Sequence, residues 1–425
     1  MKRRFLSLVL CALMLMSAFL VGCGEKTDEE IINRIASEAK QPYTLAVWIP
    51  TNDTTTAEAV QAVEDAINAI LTKEFSTAIE IYAIKDSEYE QAVADRLAAI
   101  QALTDGGAES AKSIMDTKVK NGDVTVIKTE GGTYETVYPE VMDNQLDIFV
   151  VRSKADMKKY VEAKQIASIQ SHIDGLYRNL TKVIYPTFFD QMKKDLGACY
   201  GVPVNHVIGE YTLAVIDKKL ADAYEGDISE AATLADLKEF ILWAKTQTSV
   251  ALSADVADIA SADADTFTAL QEAGCVGTSD TAAVRIVKGD YVDLENYRKD
   301  SYVIKYQMPV ATEEDVYASI LAISTFSVEN ALANPRAIEF LHYLNTNEEL
   351  KTLLQYGIEG VHYQLNYAED DVNLEHPTLE IISDDYSMNT LYTGNIYKTY
   401  RGEGVTMADS WITAKEQNLD SVPMS

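Results

Sequence analysis

Segments typical of β-strands alternate with segments typical of α-helices along this 425-residue chain, and this alternation constrains the fold most strongly. Residues 43–49 and 78–84 are apolar runs of strand length. Each run is followed by apolar residues at helical spacing: Val60, Val63, Ile67, Ile70 and Leu71, then Val93, Leu97 and Ile100. Strand–helix–strand–helix order is the pattern of an α/β fold built on a parallel sheet. We therefore predict an α/β protein.

The alternation resumes after a less regular stretch, residues 104–146. Further strands are predicted over residues 147–151, 211–216, 283–287 and 302–307, and further helices over residues 155–162, 186–196 and 233–245. Asn334 followed by Pro335 is typical of a helix start. Thr346, with Glu349 three residues later, predicts another helix start, and Gly357 predicts its end. A chain of this length can form two or three domains with separate cores.

The N-terminus begins with a basic tetrapeptide, MKRR, which precedes an apolar run that ends in LVGC at Cys23. This pattern indicates a secretory signal peptide, because the apolar run is too short for a confident membrane span. LVGC resembles the lipobox of bacterial lipoproteins, which implies cleavage before Cys23 and attachment of lipid to that residue. We predict a signal over residues 1–22, a lipidated tether over residues 23–42 and a body on the extracellular face of the bacterial cell membrane. The alternative is a plain cleaved signal with an incidental cysteine.

The charge balance is strongly acidic, with 66 Asp and Glu against 36 Lys and Arg. Binding of nucleic acid needs a basic patch, and the sequence supplies none, so we expect no nucleic-acid partner. Solubility is the ordinary interpretation of such acidity. Cys199 and Cys275 remain after the signal and the lipobox, in a compartment that permits a disulfide. We predict two separately buried thiols.

Common catalytic motifs are missing from the sequence, including G-x-S-x-G, H-E-x-x-H, the P-loop and G-x-G-x-x-G after a strand. The five histidines include no pair at the spacing of metal ligands. We therefore predict no catalytic residues, no metal and no cofactor. A surface glycosidase stays an alternative, because glycosidases need only two well-placed carboxylates.

Tyrosine is abundant, with 24 residues, many of them near the C-terminus. A tyrosine offers an apolar face and a hydroxyl at one position, which suits a polyhydroxylated ligand. Half-buried packing is the ordinary role of each single tyrosine.

Several local patterns, in their order, resemble the family 1 extracellular solute-binding proteins of ABC importers, the maltose-binding type. They are QLDIFVV at residues 145–151, YGVPVN at residues 200–205, YTLAVIDKKL at residues 211–220 and the helix at residues 233–245. The motif QYGIEGVHY, at residues 355–363, is typical of a lipoprotein subgroup of this family and is the most specific of them. The likeness covers nearly all of residues 43–425.

This resemblance implies a two-lobe, type II periplasmic-binding-protein-like fold that closes on its ligand about a hinge near residues 204–205. The first lobe would hold residues 43–205 with 311–366, and the second would hold residues 206–310 with 367–425. The partners would be a small-molecule solute, most simply a sugar, and the transmembrane subunits of an ABC permease. We expect a monomer attached to the membrane by its lipid.

The resemblance also suggests where ligand would bind. Trp48 and Tyr291 would stack on sugar rings from opposite lobes, and Asn52, Asp53 and Arg152 would bond hydroxyls after strands of the first lobe. The full set of predicted ligand contacts is Trp48, Asn52, Asp53, Arg152, Asn205, Tyr291, Glu359, His362, Tyr392 and Asn395. The family's usual C-terminal Trp is absent, and Tyr392 stands near its place. A non-sugar solute, such as a peptide, is the alternative ligand.

Overall fold

The structure is a computed structural model that describes residues 27–38, 40–105, 124–142, 145–325, 333–369 and 376–423. Cys23 and the predicted signal lie outside these residues. Secondary-structure elements are numbered below in chain order within this part of the chain. None of its helices is long and apolar enough to cross a membrane.

The first sheet has five strands in the order β2-β1-β5-β12-β6. Its strands are β1 (Tyr43–Thr51), β2 (Thr77–Lys85), β5 (Ile148–Val151), β6 (Val202–Pro203) and β12 (Ile320–Ile323). β1 runs parallel to β2 and β5, whereas β12 is antiparallel to both of its neighbours. Every residue of β1 is buried, because helices cover both faces of this sheet.

The helices that precede β6 include two long crossovers. They are α1 (Asp28–Glu38), α2 (Ala57–Phe75), α3 (Asp86–Asp105), α4 (Lys154–Glu162), α5 (Gln170–Asp174), α6 (Leu180–Val183) and α7 (Pro186–Leu196). Later in the chain come α12 (Glu313–Tyr317), α13 (Ala333–Thr346) and α14 (Glu348–Tyr356). A small hairpin, β3 (Val126–Lys128) with β4 (Tyr134–Thr136), lies within the stretch that was less regular in sequence.

A second five-stranded sheet, in the order β11-β7-β10-β8-β9, has a core of its own around Leu237, Phe240 and Leu270. Its strands are β7 (Tyr211–Asp217), β8 (Leu252–Ser253), β9 (Val276–Gly277), β10 (Val284–Gly289) and β11 (Ser301–Gln307). Its helices are α8 (Lys218–Ala223), α9 (Lys238–Ala244), α10 (Ala264–Glu272) and α11 (Tyr291–Asp300). Two sheets with helices and separate cores confirm the prediction of a two-lobe α/β protein.

The C-terminal helix α15 (Ile412–Asp420) holds the two segments that cross between the sheets. Gln417 Nε2 donates to the Ile208 carbonyl (3.0 Å), which lies on the crossing from β6 to β7. Val422 N–H donates to the Pro309 carbonyl (2.8 Å), and Ala311 N–H donates to the Val422 carbonyl (2.9 Å), on the return crossing. The end of the described chain therefore binds both crossings.

The remaining C-terminal residues begin with β14 (Thr378–Ile381), which pairs with β13 (Tyr363–Asn366). Met388, Ile396 and Trp411 then pack into one continuous core with residues of the first sheet and with Tyr291 of α11. This core includes residues of both predicted lobes. The lobe boundaries proposed from the sequence therefore stay a prediction.

Two local predictions have clear outcomes. Cys199 and Cys275 are buried free thiols, as predicted. The predicted start of α14 at Thr346 is wrong by one residue, because the N-cap is Asn347, whose Oδ1 accepts from Leu350 N–H (2.7 Å). Gly357 ends this helix as predicted, with a φ of 80°.

Candidate functional site

The connections of the first sheet place a crevice between the carboxyl ends of β1 and β5. The chain passes from β1 through α2 to β2, and then returns through α3 past β1 to β5. Right-handed crossovers in opposite directions put α2 and α3 on opposite faces of the sheet. Ligands of open α/β sheets bind where the connections diverge in this way.

The crevice opens because the hydroxyl of Tyr89 lies between the two strands. β1 and β5 pair only at Val47–Ile148 and at Trp48–Phe149. Beyond that point, Tyr89 Oη donates to the Trp48 carbonyl (3.0 Å) and accepts from Val150 N–H (2.7 Å). Tyr89 is 1 % exposed, and burial raises the pKa of its hydroxyl. This side chain therefore replaces a backbone link and lets the strands separate.

Arg152 follows β5 directly and occupies the mouth of the crevice. Its guanidinium carbon lies 5.4 Å from the ring centroids of both Tyr89 and Tyr392, and its Nη1 donates to Tyr392 Oη (3.1 Å). It also forms ion pairs with the carboxylates of Asp86 and Glu90 at the start of α3. Burial lowers the pKa of Arg152, but the hydrogen bonds to Glu90 and Tyr392 outweigh burial, so the pKa is raised. A cation between aromatic rings and carboxylates is thus held in place.

The segment that carries Tyr392 runs across the same edge of the sheet. Thr51, the last residue of β1, forms an isolated bridge with Met388. Ile396 N–H donates to the Asn205 carbonyl (3.1 Å), just beyond β6. This segment, residues 388–396, therefore spans the carboxyl edge from β1 to β6 and will be called the edge segment.

Lys351 of α14 holds the edge segment in place through hydrogen bonds. Its side chain is fully buried, and its Nζ donates to the Thr390 carbonyl (3.0 Å) and to Thr393 Oγ1. Burial lowers the pKa of Lys351 well below its ordinary value. No feature of the sequence marks this lysine, because charged residues on a helix are usually exposed.

Raising the pH from about 7 towards about 9.5 is expected to stabilise the wild-type protein more than a Lys351→Met variant. The unfolded chain, with a lysine pKa of 10.5, binds the proton more tightly than the folded chain does. The free energy of unfolding therefore rises with pH between the folded and unfolded pKa values, by at most about 1.4 kcal/mol per pH unit for one proton. Urea titrations at several pH values measure this slope. The same slope in both proteins would contradict the assignment.

Of the predicted ligand contacts, Arg152 and Tyr392 are brought together across 240 residues of sequence. Asn52 and Asp53 are exposed at the end of β1, where Asn52 Nδ2 donates to Ser387 Oγ (3.3 Å). Four predicted contacts therefore lie at the carboxyl edge of the first sheet.

Trp48 and Tyr291 are buried in the core, at 5 % and 9 % exposure. The Trp48 ring stacks on Tyr82 with centroids 5.3 Å apart, and the guanidinium of Arg96 lies 4.9 Å from its centroid. The ring of Tyr291 lies 5.5 Å from the guanidinium of Arg401. Their predicted stacking on sugar rings stays a prediction, and their described neighbours are protein groups.

Asn205 and Asn395 lie next to each other, and both are buried. Asn205 Nδ2 donates to the Val183 carbonyl (3.0 Å) and to Asn395 Oδ1 (3.3 Å). Asn205 Oδ1 accepts from Tyr185 N–H (3.0 Å). These amides join the edge segment to the first crossing between the sheets.

The motif QYGIEGVHY, residues 355–363, includes the last two residues of α14, the turn that follows and the first residue of β13. Ile358 N–H donates to Nδ1 of His362 (2.9 Å), which is 2 % exposed, and burial lowers the pKa of this imidazole. A Cβ on Gly357 would lie 2.4 Å from the same nitrogen. Packing against His362 therefore requires a glycine at position 357. Glu359, also in this motif, is exposed.

Asp86, Tyr89, Glu90 and Lys351 are the members of this site that sequence reasoning missed. Tyr89 carries only the signal of an aromatic residue on the apolar face of a helix, which predicts core packing. Within the described ranges, no group of three or more His, Cys, Asp or Glu side chains is placed to hold a metal ion.

No family model matches the chain, and no curated protein matches it. Among solved structures, the chain is similar to the N-glycan transport solute binding protein of Streptococcus pneumoniae, with 16 % identity, 90 % of this chain and 83 % of that chain covered, and a TM-score of 0.48. It is also similar to an extracellular solute-binding protein family 1 member from Alicyclobacillus acidocaldarius subsp. acidocaldarius DSM 446, with 10 % identity, 91 % and 88 % covered, and a TM-score of 0.48. A probable secreted solute-binding lipoprotein from Streptomyces coelicolor has 12 % identity, 89 % and 95 % covered, and a TM-score of 0.42.

Proposed function

We propose that the protein is a lipid-anchored extracellular receptor of an ABC importer, which captures a carbohydrate between its two lobes and delivers it to the permease. The observation that carries this proposal is the cluster of Arg152, Tyr89 and Tyr392 at the diverging ends of β1 and β5. A crevice at this position is where open α/β sheets bind small molecules.

The chemistry of the crevice favours a hydroxylated ligand. Arg152 supplies several N–H donors in a fixed plane, and the carboxylates of Asp86 and Glu90 supply acceptors beside it. Tyr392 adds an aromatic face together with a hydroxyl. Sugars need all three kinds of contact, because their ring faces are apolar and their hydroxyls both donate and accept.

Release and delivery need the lobes to move, and the chain crosses between the two sheets at residues 204–210 and 308–311, where α15 holds both crossings together. Closure about residues 204–205 would bring the second sheet over the crevice, and hinge closure around a ligand is a common behaviour of two-lobe proteins. The permease contact and the monomeric state are parts of the same proposal.

Replacing Arg152 with alanine is expected to weaken sugar binding by about 10- to 100-fold, the range that corresponds to loss of a charge-assisted hydrogen bond. A thermal-shift screen of oligosaccharides and peptides identifies the ligand, and calorimetric titration measures the affinity. Folding should change little, because the side chains of Asp86 and Glu90 are 59 % and 56 % exposed and can be solvated.

The matched control is Lys158→Ala, which removes an exposed cation from α4. If peptides stabilise the protein in the screen and no sugar does, the ligand is a peptide and the proposed sugar is wrong. Hydrolysis of a bound oligosaccharide would show an enzyme and overturn the receptor.

The lipid anchor is proposed from the LVGC sequence at Cys23. A Cys23→Ser variant is expected to lose membrane retention, because it lacks the thiol to which the lipid would be attached. Mass spectrometry of the wild-type protein should find lipid on Cys23. A mature N-terminus elsewhere, with no lipid, would contradict the anchor and leave the ligand proposal intact.

A further inference from the structure

A second concave surface lies on the other side of β1 from the Arg152 crevice. It is a groove of ≈ 510 Å³ between α2 and the edge strand β2. Its lining residues are Thr51, Asn52, Thr55, Thr56, Ala57, Val60, Gln61, Glu64, Glu80, Ile81, Ala83 and Lys85. The groove and the crevice share the end of β1, so one ligand could reach both.

The groove begins beyond the part of the edge strand β2 whose outward backbone groups are hydrogen-bonded by side chains of α2. Asn68 of α2 imitates a neighbouring strand, because its Oδ1 accepts from Ile79 N–H (2.7 Å) and its Nδ2 donates to the Ile79 carbonyl (2.9 Å). Glu64 Oε2 then accepts from Ile81 N–H (2.7 Å). Backbone groups of every second residue face the same way along a strand, so those of Ala83 also face outward. Among the described residues, this side-chain cover of the edge stops at Ile81, and the groove lies beyond it.

The polar groups of the groove suit hydroxyls and amines better than anions. The lining includes two carboxylates, of Glu64 and Glu80, and one ammonium, that of Lys85. Burial raises the pKa of the Glu64 carboxyl, and Glu80 raises it further. Glu64 accepts from Ile81 N–H and from Gln61 Nε2 (3.1 Å), and a carboxylate can accept further hydrogen bonds from donors of a ligand. An acidic ligand would add a like charge to this pair.

Thr51 provides an independent sign of an unfilled position. It is 5 % exposed and lines the groove, and its Oγ1 has no hydrogen-bond partner among the described residues. A buried hydroxyl without a partner costs stability, so such groups are normally satisfied. A ligand hydroxyl in the groove is a natural partner for it.

We infer that the groove is a second carbohydrate subsite, which binds the units of an oligosaccharide beyond the one at Arg152 and selects neutral or amino sugars over acidic ones. This inference rests on the proposed function. Adjacent strands are about 4.8 Å apart, so the two sites are separated by roughly two strand spacings, about 10 Å. More than one sugar ring is needed to span that distance.

The experiment compares chain lengths and charges of defined probes. Calorimetry measures binding of N-acetylglucosamine and its oligomers up to the hexamer, of the corresponding chitosan oligomers, and of galacturonic acid oligomers. Maltose and xylose oligomers cover other linkages. The wild-type protein should bind a trimer at least about tenfold more tightly than a monomer in one neutral or amino series, and should bind the acidic series least.

Variants of two groove residues then test whether the gain in affinity for longer oligomers arises in the groove. Gln61→Ala removes an exposed amide, and should lose about tenfold in affinity for the trimer with little change for the monomer. Glu80→Lys reverses a charge, and should shift preference from chitosan to galacturonic acid oligomers. Glu162→Lys makes the same change on the exposed end of α4, and should leave both preferences unchanged.

The outcomes separate the two proposals. Monomer binding without a gain for longer oligomers, or an equal gain in Gln61→Ala, overturns the subsite and leaves the receptor standing. Tighter binding of the acidic series by the wild-type protein overturns the predicted selectivity. If none of the probes binds, both proposals fail together.

Discussion

Replacing Gly201 with alanine is expected to destabilise the protein by about 2–5 kcal/mol. Gly201 has a φ of +85°, and a Cβ built there would lie 2.7 Å from the Leu321 carbonyl oxygen and 2.8 Å from Ile320 Cγ2. The left-handed conformation costs an L-residue about 1–2 kcal/mol, and overpacking adds about 1–3 kcal/mol. Both contacts belong to β12, so the glycine lets β6 approach that strand. Urea unfolding measures the loss.

Gly197 provides the matched control for this substitution. It has a similar φ, +81°, but nothing lies within 4 Å of a Cβ built there. Gly197→Ala should therefore cost only the conformational part, about 1–2 kcal/mol. An equal loss in the two variants would show that the contact with β12 has no steric cost.

Replacing Tyr89 with phenylalanine is expected to cost about 2–4 kcal/mol. The variant keeps the ring but leaves the Trp48 carbonyl and the Val150 N–H without their shared partner. Each buried backbone group left unsatisfied costs about 1–3 kcal/mol, and the two effects overlap because the strands can shift. Chemical unfolding gives the loss of stability, and the retained ring should keep most of the contact with Arg152.

Tyr302→Phe is the control, since Tyr302 is 45 % exposed and its hydroxyl donates to Asp222 (2.8 Å) at the surface. Its removal should change the free energy of unfolding by less than about 1 kcal/mol. If Tyr89→Phe costs no more than this control, the hydroxyl does not hold the strands of the crevice.

Local patterns predicted many elements well, because each depends on residues that are close in sequence. The helix predicted at residues 186–196 is α7, Pro186–Leu196, and the strand predicted at residues 78–84 is β2, Thr77–Lys85. The start of α14 shows the limit of such patterns. Thr346 and Asn347 are both good N-cap residues. Thr346 does not act as the N-cap, because it still belongs to α13, where its Oγ1 donates to the His342 carbonyl (2.8 Å).

The residues of the candidate site differ in the same way: some could be predicted from local sequence, and others could not. Arg152 could be proposed from the family resemblance and from its position directly after a strand, where polar residues lie at the ligand edge of an α/β sheet. Tyr89 and Lys351 could not, because their roles depend on groups that are distant in sequence. Tyr89 joins backbones at Trp48 and Val150, and Lys351 donates to a carbonyl 39 residues away.

The sequence by itself determined the α/β class and the apolar spacing that makes helices such as α2 amphipathic. Only the tertiary structure decided the strand order β2-β1-β5-β12-β6 and the path of the edge segment across it. The physical reason is the range of the interactions: propensity and capping act over a few residues, whereas Arg152 and Tyr392 meet across 240 residues once two strands have been paired. A crevice formed by such distant residues has no local signature.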